Sequence, residues 1–191
     1  TLCHPRSDAL AVKVTSPLVR RGRIAIRLAF PYGSSEATAA DWTREEAHET
    51  RVASAGGDRA VLERRLDADR HHVSLGWAAG GRLAPEGRHA FALEPGAGED
   101  SFWAVVGFSA APPDGPLPGF AAARADTAGH WSRFWSTGGA IDLSGSRDPR
   151  WRELERRIVL SQYLTAIQCA GSLPPQETGL TLNSWHGKFH L

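Results

Sequence analysis

Hydrophobic and polar positions alternate along the first half of the chain and recur at three and four residues in the second. Within residues 23–30, Ile24, Ile26, Leu28 and Phe30 fall on one side. A period of two marks a half-buried strand. Residues 9–15 alternate partly before Pro17 interrupts them. Further strands are predicted at 48–53, 59–66, 71–78, 89–93 and 102–108. Gly56-Gly57-Asp58 and Asp67-Ala68-Asp69 are turns between them, and Gly80-Gly81 and Pro85-Glu86-Gly87 bracket one more short piece. Short strands with Gly and Pro turns predict an antiparallel β-sandwich over residues 1–115.

The texture changes at the Pro- and Gly-rich stretch 111–119, a linker by composition. Phe120, Ala123, Thr127, Trp131 and Phe134 then lie on one helical face, and Gly138-Gly139 ends that helix. Ile141 to Ser144 reads as an extended connection, so residues 116–147 form a helical linker. A second helix is predicted from Asp148 as N-cap and Pro149 at the first helical position. Glu153 and Arg157 form an oriented i,i+4 pair on it. Trp151, Leu154, Ile158, Thr165 and Cys169 share one face, and after Ile158 the other faces turn apolar too. Such a helix is expected to be buried at its end by partners that this chain hardly supplies. Gly171 and Pro174-Pro175 stop it.

Composition adds little to this pattern. The 191 residues are 41% hydrophobic and 23% charged with a net charge of +1, so no field favours nucleic acid or an acidic membrane surface. No apolar run reaches the ~20 residues that span a bilayer. Met is absent and Thr1-Leu2-Cys3 lacks the features of a leader, so both ends read as cuts. Cys3 reads as a terminal thiol and Cys169 as a small buried hydrophobe, with a disulfide between them the alternative.

Candidate chemistry concentrates in the tail. Asn183, Trp185, His186, Gly187, Lys188 and His190 combine a stacking face, hydrogen-bonding groups and a glycine that admits a close ligand. Those features suit a sugar. They equally suit a packed hairpin with Trp185 in its core and solvated His and Lys side chains. His186 and His190 stand four apart, but Gly187 lies between them and no Cys or carboxylate joins them, so neither metal nor cofactor is expected. His71 and His72 point to opposite faces of their strand. Trp131, Phe134 and Trp135 read as packing, and Glu94, Glu99 and Asp100 take no acid–base role.

The run His130-Trp131-Ser132-Arg133-Phe134-Trp135, then Ile141-Asp142-Leu143 and Leu160-Ser161-Gln162-Tyr163-Leu164, resembles the junction in glycoside hydrolase family 65, which includes the maltose and kojibiose phosphorylases. The tail Trp185-His186-Gly187-Lys188-Phe189-His190 resembles the loop after the first barrel helix in that family and in the family 95 fucosidases. The resemblance covers roughly the last third of the chain. It implies a six-hairpin glycosidase: a supersandwich-like β domain, a helical linker, and residues 148–191 as the truncated start of an (α/α)6 catalytic barrel. It also implies that the six tail residues named above border a sugar subsite. The implied mechanism is inverting, with a glutamic acid far downstream protonating the leaving oxygen while water or phosphate attacks the opposite face. The catalytic groups then lie outside this chain. The implied partners are an oligosaccharide and the rest of the barrel, with a homodimer compatible and an exported, periplasmic or extracellular, location favoured. Family members carry an aromatic-Arg-Gly-His type sequence where this chain has His186-Gly187-Lys188, so substrate and hydrolysis versus phosphorolysis stay open. The alternative is a self-contained β-sandwich that binds carbohydrate or protein through exposed aromatics such as Trp103 or Trp77.

Overall fold

The computed structural model describes residues 1–34, 40–172 and 175. Among them the chain runs β1 (Leu2–Cys3), β2 (Ala9–Thr15), α1 (Pro17–Arg20), β3 (Ile26–Ala29), β4 (Tyr32–Gly33), β5 (Ala40–Asp41), a 3-10 turn (Glu45–Ala47), β6 (His48–Gly56), β7 (Arg59–Leu66), β8 (Asp69–Trp77), β9 (Arg82–Gly87), β10 (Ala90–Glu94), β11 (Ser101–Ser109), α2 (Phe120–Thr137) and α3 (Trp151–Gln168). It is mainly β with antiparallel sheets followed by C-terminal helices, as the hydrophobic pattern predicts. The chain divides into two compact units, residues 1–33 with 41–131, and a second containing the described residues from 132 on.

In the first unit, six strands order as β1-β2-β11-β8-β7-β6 and three as β3-β10-β9. Alternation decides which side chains meet. Leu62, Val73, Leu75, Trp77, Phe102 and Ala104 of the larger sheet join Phe91 and Leu93 of β10 in one core, a sandwich-like packing. Ile24, Ile26, Leu28 and Phe30 pack against that core as their spacing requires. Leu62 and Leu93 are fully enclosed, and each such burial stabilises the fold by roughly 1.5–3 kcal/mol. On the opposite face of the larger sheet, Ala9, Ala11 and Val105 pack with Ala123 of α2. Asp126 anchors the start of α2 by accepting from His4 and Arg6, and the Thr127 hydroxyl donates to the Cys3 carbonyl at 2.9 Å. The expected helical face is the less exposed one, with Ala123 buried and Phe120, Thr127 and Trp131 half-buried.

Local chemistry explains the ends of elements. Pro17 opens a single helical turn capped by the Ser16 hydroxyl, which accepts from Leu18 N at 3.2 Å. Asp67 turns β7 into β8 at φ 51°, and its carboxylate accepts the Tyr32 hydroxyl at 3.0 and 3.1 Å. The Pro85-Glu86-Gly87 segment, expected as a bracketing turn, belongs to β9 itself. β9 is an edge strand of its sheet, where proline's missing N–H is tolerated.

Two expectations for the second unit are corrected. α3 begins at Trp151 with Arg150 at its cap, and no side chain caps it. The Asp148 carboxylate is occupied instead by Arg150, accepting its backbone N–H at 2.9 Å and its guanidinium at 3.0 and 2.7 Å. No residue of α3 is enclosed, and Leu154, Leu160, Tyr163 and Leu164 are exposed, the surface expected of a helix whose partners this chain hardly supplies. Cys169 is likewise exposed, and both it and Cys3 are free thiols. The Glu153–Arg157 pair is present at 2.7 Å, and Arg156 joins it. Within this unit, Gln162 donates to the Gly139 carbonyl at 2.7 Å and Leu143 N donates to Glu155 at 2.7 Å, so side chains of α3 hold the connection that precedes it. No helix among the described residues is long and apolar enough to cross a membrane.

Candidate functional site

The six residues expected to border a sugar subsite, Asn183, Trp185, His186, Gly187, Lys188 and His190, lie outside the described residues. Two candidate sites lie in the β unit.

The larger is a groove of about 710 Å³ on the outer face of the six-stranded sheet. Trp103 of β11 and the linker residues 113–119 form its walls, and Ser74 and Gly76 of β8 contribute to its floor. The turn between β6 and β7 brings Asp58 and Arg59 to it, paired at 3.7 Å. Trp103 is half-buried, whereas Trp77, expected to be an exposed aromatic, is 3% exposed. Its place on β8 explains the difference, because Val73, Leu75 and Trp77 share the inward face and enter the core.

The second lies at the polar end of the sandwich interior. Thr50, Arg64 and His71 stand in register across β6, β7 and β8. Arg64 is 4% exposed. Its guanidinium donates to the Thr50 hydroxyl at 3.1 Å and the Pro31 carbonyl at 3.2 Å and lies 4.7 Å over the Phe30 ring. Desolvation lowers its pKa, and its Nε has no hydrogen-bond partner. Thr50 meets His89 Nδ1 at 2.8 Å, and His89 Nε2 reaches the Glu45 carbonyl at 2.9 Å. A carbonyl only accepts, so the neutral ring carries its proton on Nε2. His48 stacks on His89 with ring centroids 3.7 Å apart, and its Nδ1 is buried without a partner. Burial first, then the charges of His89, Arg64 and Arg88, push the His48 pKa down to about 4. His71 is lowered as well, by burial ahead of Arg64 and His72. A cavity of about 170 Å³ beside this pair is lined by Asp41, Trp42, His48 and His89. Among the described residues neither stacked ring pairs with a carboxylate, so no acid–base dyad is assembled there. The cluster fills a polar end of the core with stacked imidazoles and one guanidinium.

The outer face of the same strands holds a charge cluster. The Glu63 carboxylate accepts from Arg51 at 2.9 Å and Arg65 at 3.0 Å, with Arg70 and His72 at 3.8 Å. The hydrogen bond from Arg51 leads the effects that hold its pKa at about 2. His71 and His72 thus serve opposite faces, as their strand position requires. Glu94 pairs with Arg82 and Asp100 with Arg20, so both carboxylates act as surface ion-pair partners. Phe134 and Trp135 meet edge to face at 4.7 Å. Among the described residues, no group of three or more His, Cys, Asp or Glu side chains is placed to hold a metal ion.

No family model matches the chain, and neither a curated protein nor a solved structure matches it. The buried His48–His89–Arg64 cluster was not singled out by sequence reasoning. One signal was available: Arg64 occupies the inward phase of the alternation Ala60, Leu62, Arg64, Leu66. The pairing of His48 with His89 carries no local signal, because 41 positions separate them.

Proposed function

We propose that the chain is the N-terminal part of a carbohydrate-active enzyme, a glycoside hydrolase-like protein of the six-hairpin type acting on glycosidic bonds of an oligosaccharide. In this reading residues 1–115 are the supersandwich, residues 116–147 the linker, and α3 the first helix of an (α/α)6 barrel. Asn183, Trp185, His186, Gly187, Lys188 and His190 border the sugar subsite, and no residue of the chain is assigned as catalytic acid or base. The motif resemblance supplies the family. One structural observation supports the reading beyond it: Leu154, Leu160, Tyr163 and Leu164 of α3 stand exposed. Apolar side chains on several faces of one helix suit an element that further helices cover. An inverting enzyme of this type uses one general acid and an attacking water or phosphate on opposite faces of the sugar.

The test is an assay of the full-length gene product on a panel of disaccharides, with and without phosphate. Release of sugar, or of a sugar 1-phosphate when phosphate is supplied, with inverted anomeric configuration is the expected result. A gene coding for no helical barrel beyond residue 191 refutes the reading outright.

A further inference from the structure

We propose that the outer face of the six-stranded sheet is itself a binding site for a neutral oligosaccharide, in the groove beside Trp103. It is built from residues other than those of the 183–190 segment and goes beyond the reading above.

The groove is made by an interruption in side-chain cover. Ser74 and Gly76 alternate outward along β8 while Val73, Leu75 and Trp77 enter the core. Gly76 stands in register with Arg59 of β7 and Val105 of β11, so its main chain lies inside the sheet with a neighbour on each side. The floor therefore offers no free strand edge to an added peptide strand. A Cβ at Gly76 would meet no other atom within 4 Å, so the space above it is open. Across the sheet, Gly107 does the reverse. A Cβ there would lie 2.7 Å from Leu117 Cδ2, so this glycine lets the linker seat Leu117 on the sheet and hold the far wall in place. The other wall is the Trp103 indole.

The chemistry of the lining selects the ligand class. Trp103 presents aromatic surface, on which the C–H patches of a sugar ring stack. Ser74, Asp58 and Arg59 supply acceptors and donors that hydroxyl groups can use in both directions. Asp58 and Asp114 outnumber Arg59 among these groups, so the local charge opposes phosphate-bearing ligands such as nucleic acids and sugar phosphates. A volume of about 710 Å³ falls within the range of small-ligand clefts and takes several pyranose rings.

The test is calorimetric titration of the 191-residue protein with maltotriose, cellotriose, xylotriose and mannotriose at millimolar concentration. At least one is expected to bind. A Cβ at Gly76 meets no atom within 4 Å and valine suits a strand, so Gly76→Val is expected to hold Tm while its methyls occupy the floor and affinity falls by about tenfold or more. Arg59→Ala, at the exposed first residue of β7, provides a second variant and is expected to weaken binding several-fold. The proposed enzyme subsite is read separately, by turnover on the disaccharide panel, so its failure and that of the groove appear in different assays. The proposal is overturned if none of the trisaccharides binds, or if binding survives both Gly76→Val and Arg59→Ala.

Discussion

Acidification tests the polar end of the sandwich core most directly. His48 is 6% exposed, stacked at 3.7 Å on His89, and carries a folded-state pKa of about 4 against an ordinary 6.5. The folded protein thus resists protonation at a site where the unfolded chain accepts a proton freely. Between those two values the unfolded state binds more protons, so stability rises with pH across the window and is lost as pH falls through it. The difference of 6.5 − 4 = 2.5 units, at 1.36 kcal/mol each, limits the whole effect to about 3 kcal/mol. Between about pH 7 and about pH 5 the same linkage gives about 2 kcal/mol, a sizeable part of the ~5–15 kcal/mol stability of a domain. Stopping at about pH 5 avoids the lower window of Glu63, whose depressed pKa of about 2 stabilises the fold above 4.5 and loses that contribution as pH falls toward 2. Urea unfolding followed by tryptophan fluorescence at the two pH values measures the loss. His48→Phe keeps a stacked ring but cannot titrate, and is expected to remove most of the pH dependence. His71 titrates in the same direction in both proteins and cancels in the comparison. An equal loss of stability in His48→Phe and in the parent protein would refute the reasoning.

Other perturbations probe different parts of the structure. Arg64→Met removes a charge that depresses His48, so the His48 pKa should rise, read from its ring resonances by NMR against pH. Leu62→Ala empties a fully enclosed position and should cost about 2–5 kcal/mol in denaturant unfolding. Gly81→Ala would drive a Cβ to 2.8 Å from Phe102, 2.9 Å from the Glu94 carbonyl and 2.9 Å from Trp77, and should destabilise by about 1–3 kcal/mol in the same assay. Exposed Leu160 and Leu164 on α3 should bind a hydrophobic dye or drive self-association. Changing both to Lys should reduce dye fluorescence and return a monomer in sedimentation, with the melting of the β unit unchanged.

Much of the secondary structure was legible in the residues alone. Strong alternation in 23–30 needs no partner to be recognised, because half-buried strands impose a period of two on their own side chains. Glycine and proline punctuation did the same for the turn at Gly57 and for the end of α2 before Gly138-Gly139. The first turn of α3 was missed because a carboxylate at 148 has two competing partners, and the guanidinium two residues on took it. The order β1-β2-β11-β8-β7-β6 was decided only by the tertiary structure, since pairing Ala9 with Gly107 joins segments 98 positions apart. So was the placing of Trp77 inside and Trp103 beside the groove: alternation assigns the two tryptophans to faces but cannot say which face another sheet will cover. Side chains record the local period of their backbone, whereas the meeting of His48 with His89, or the empty space over Gly76, exists only once distant strands have been brought together.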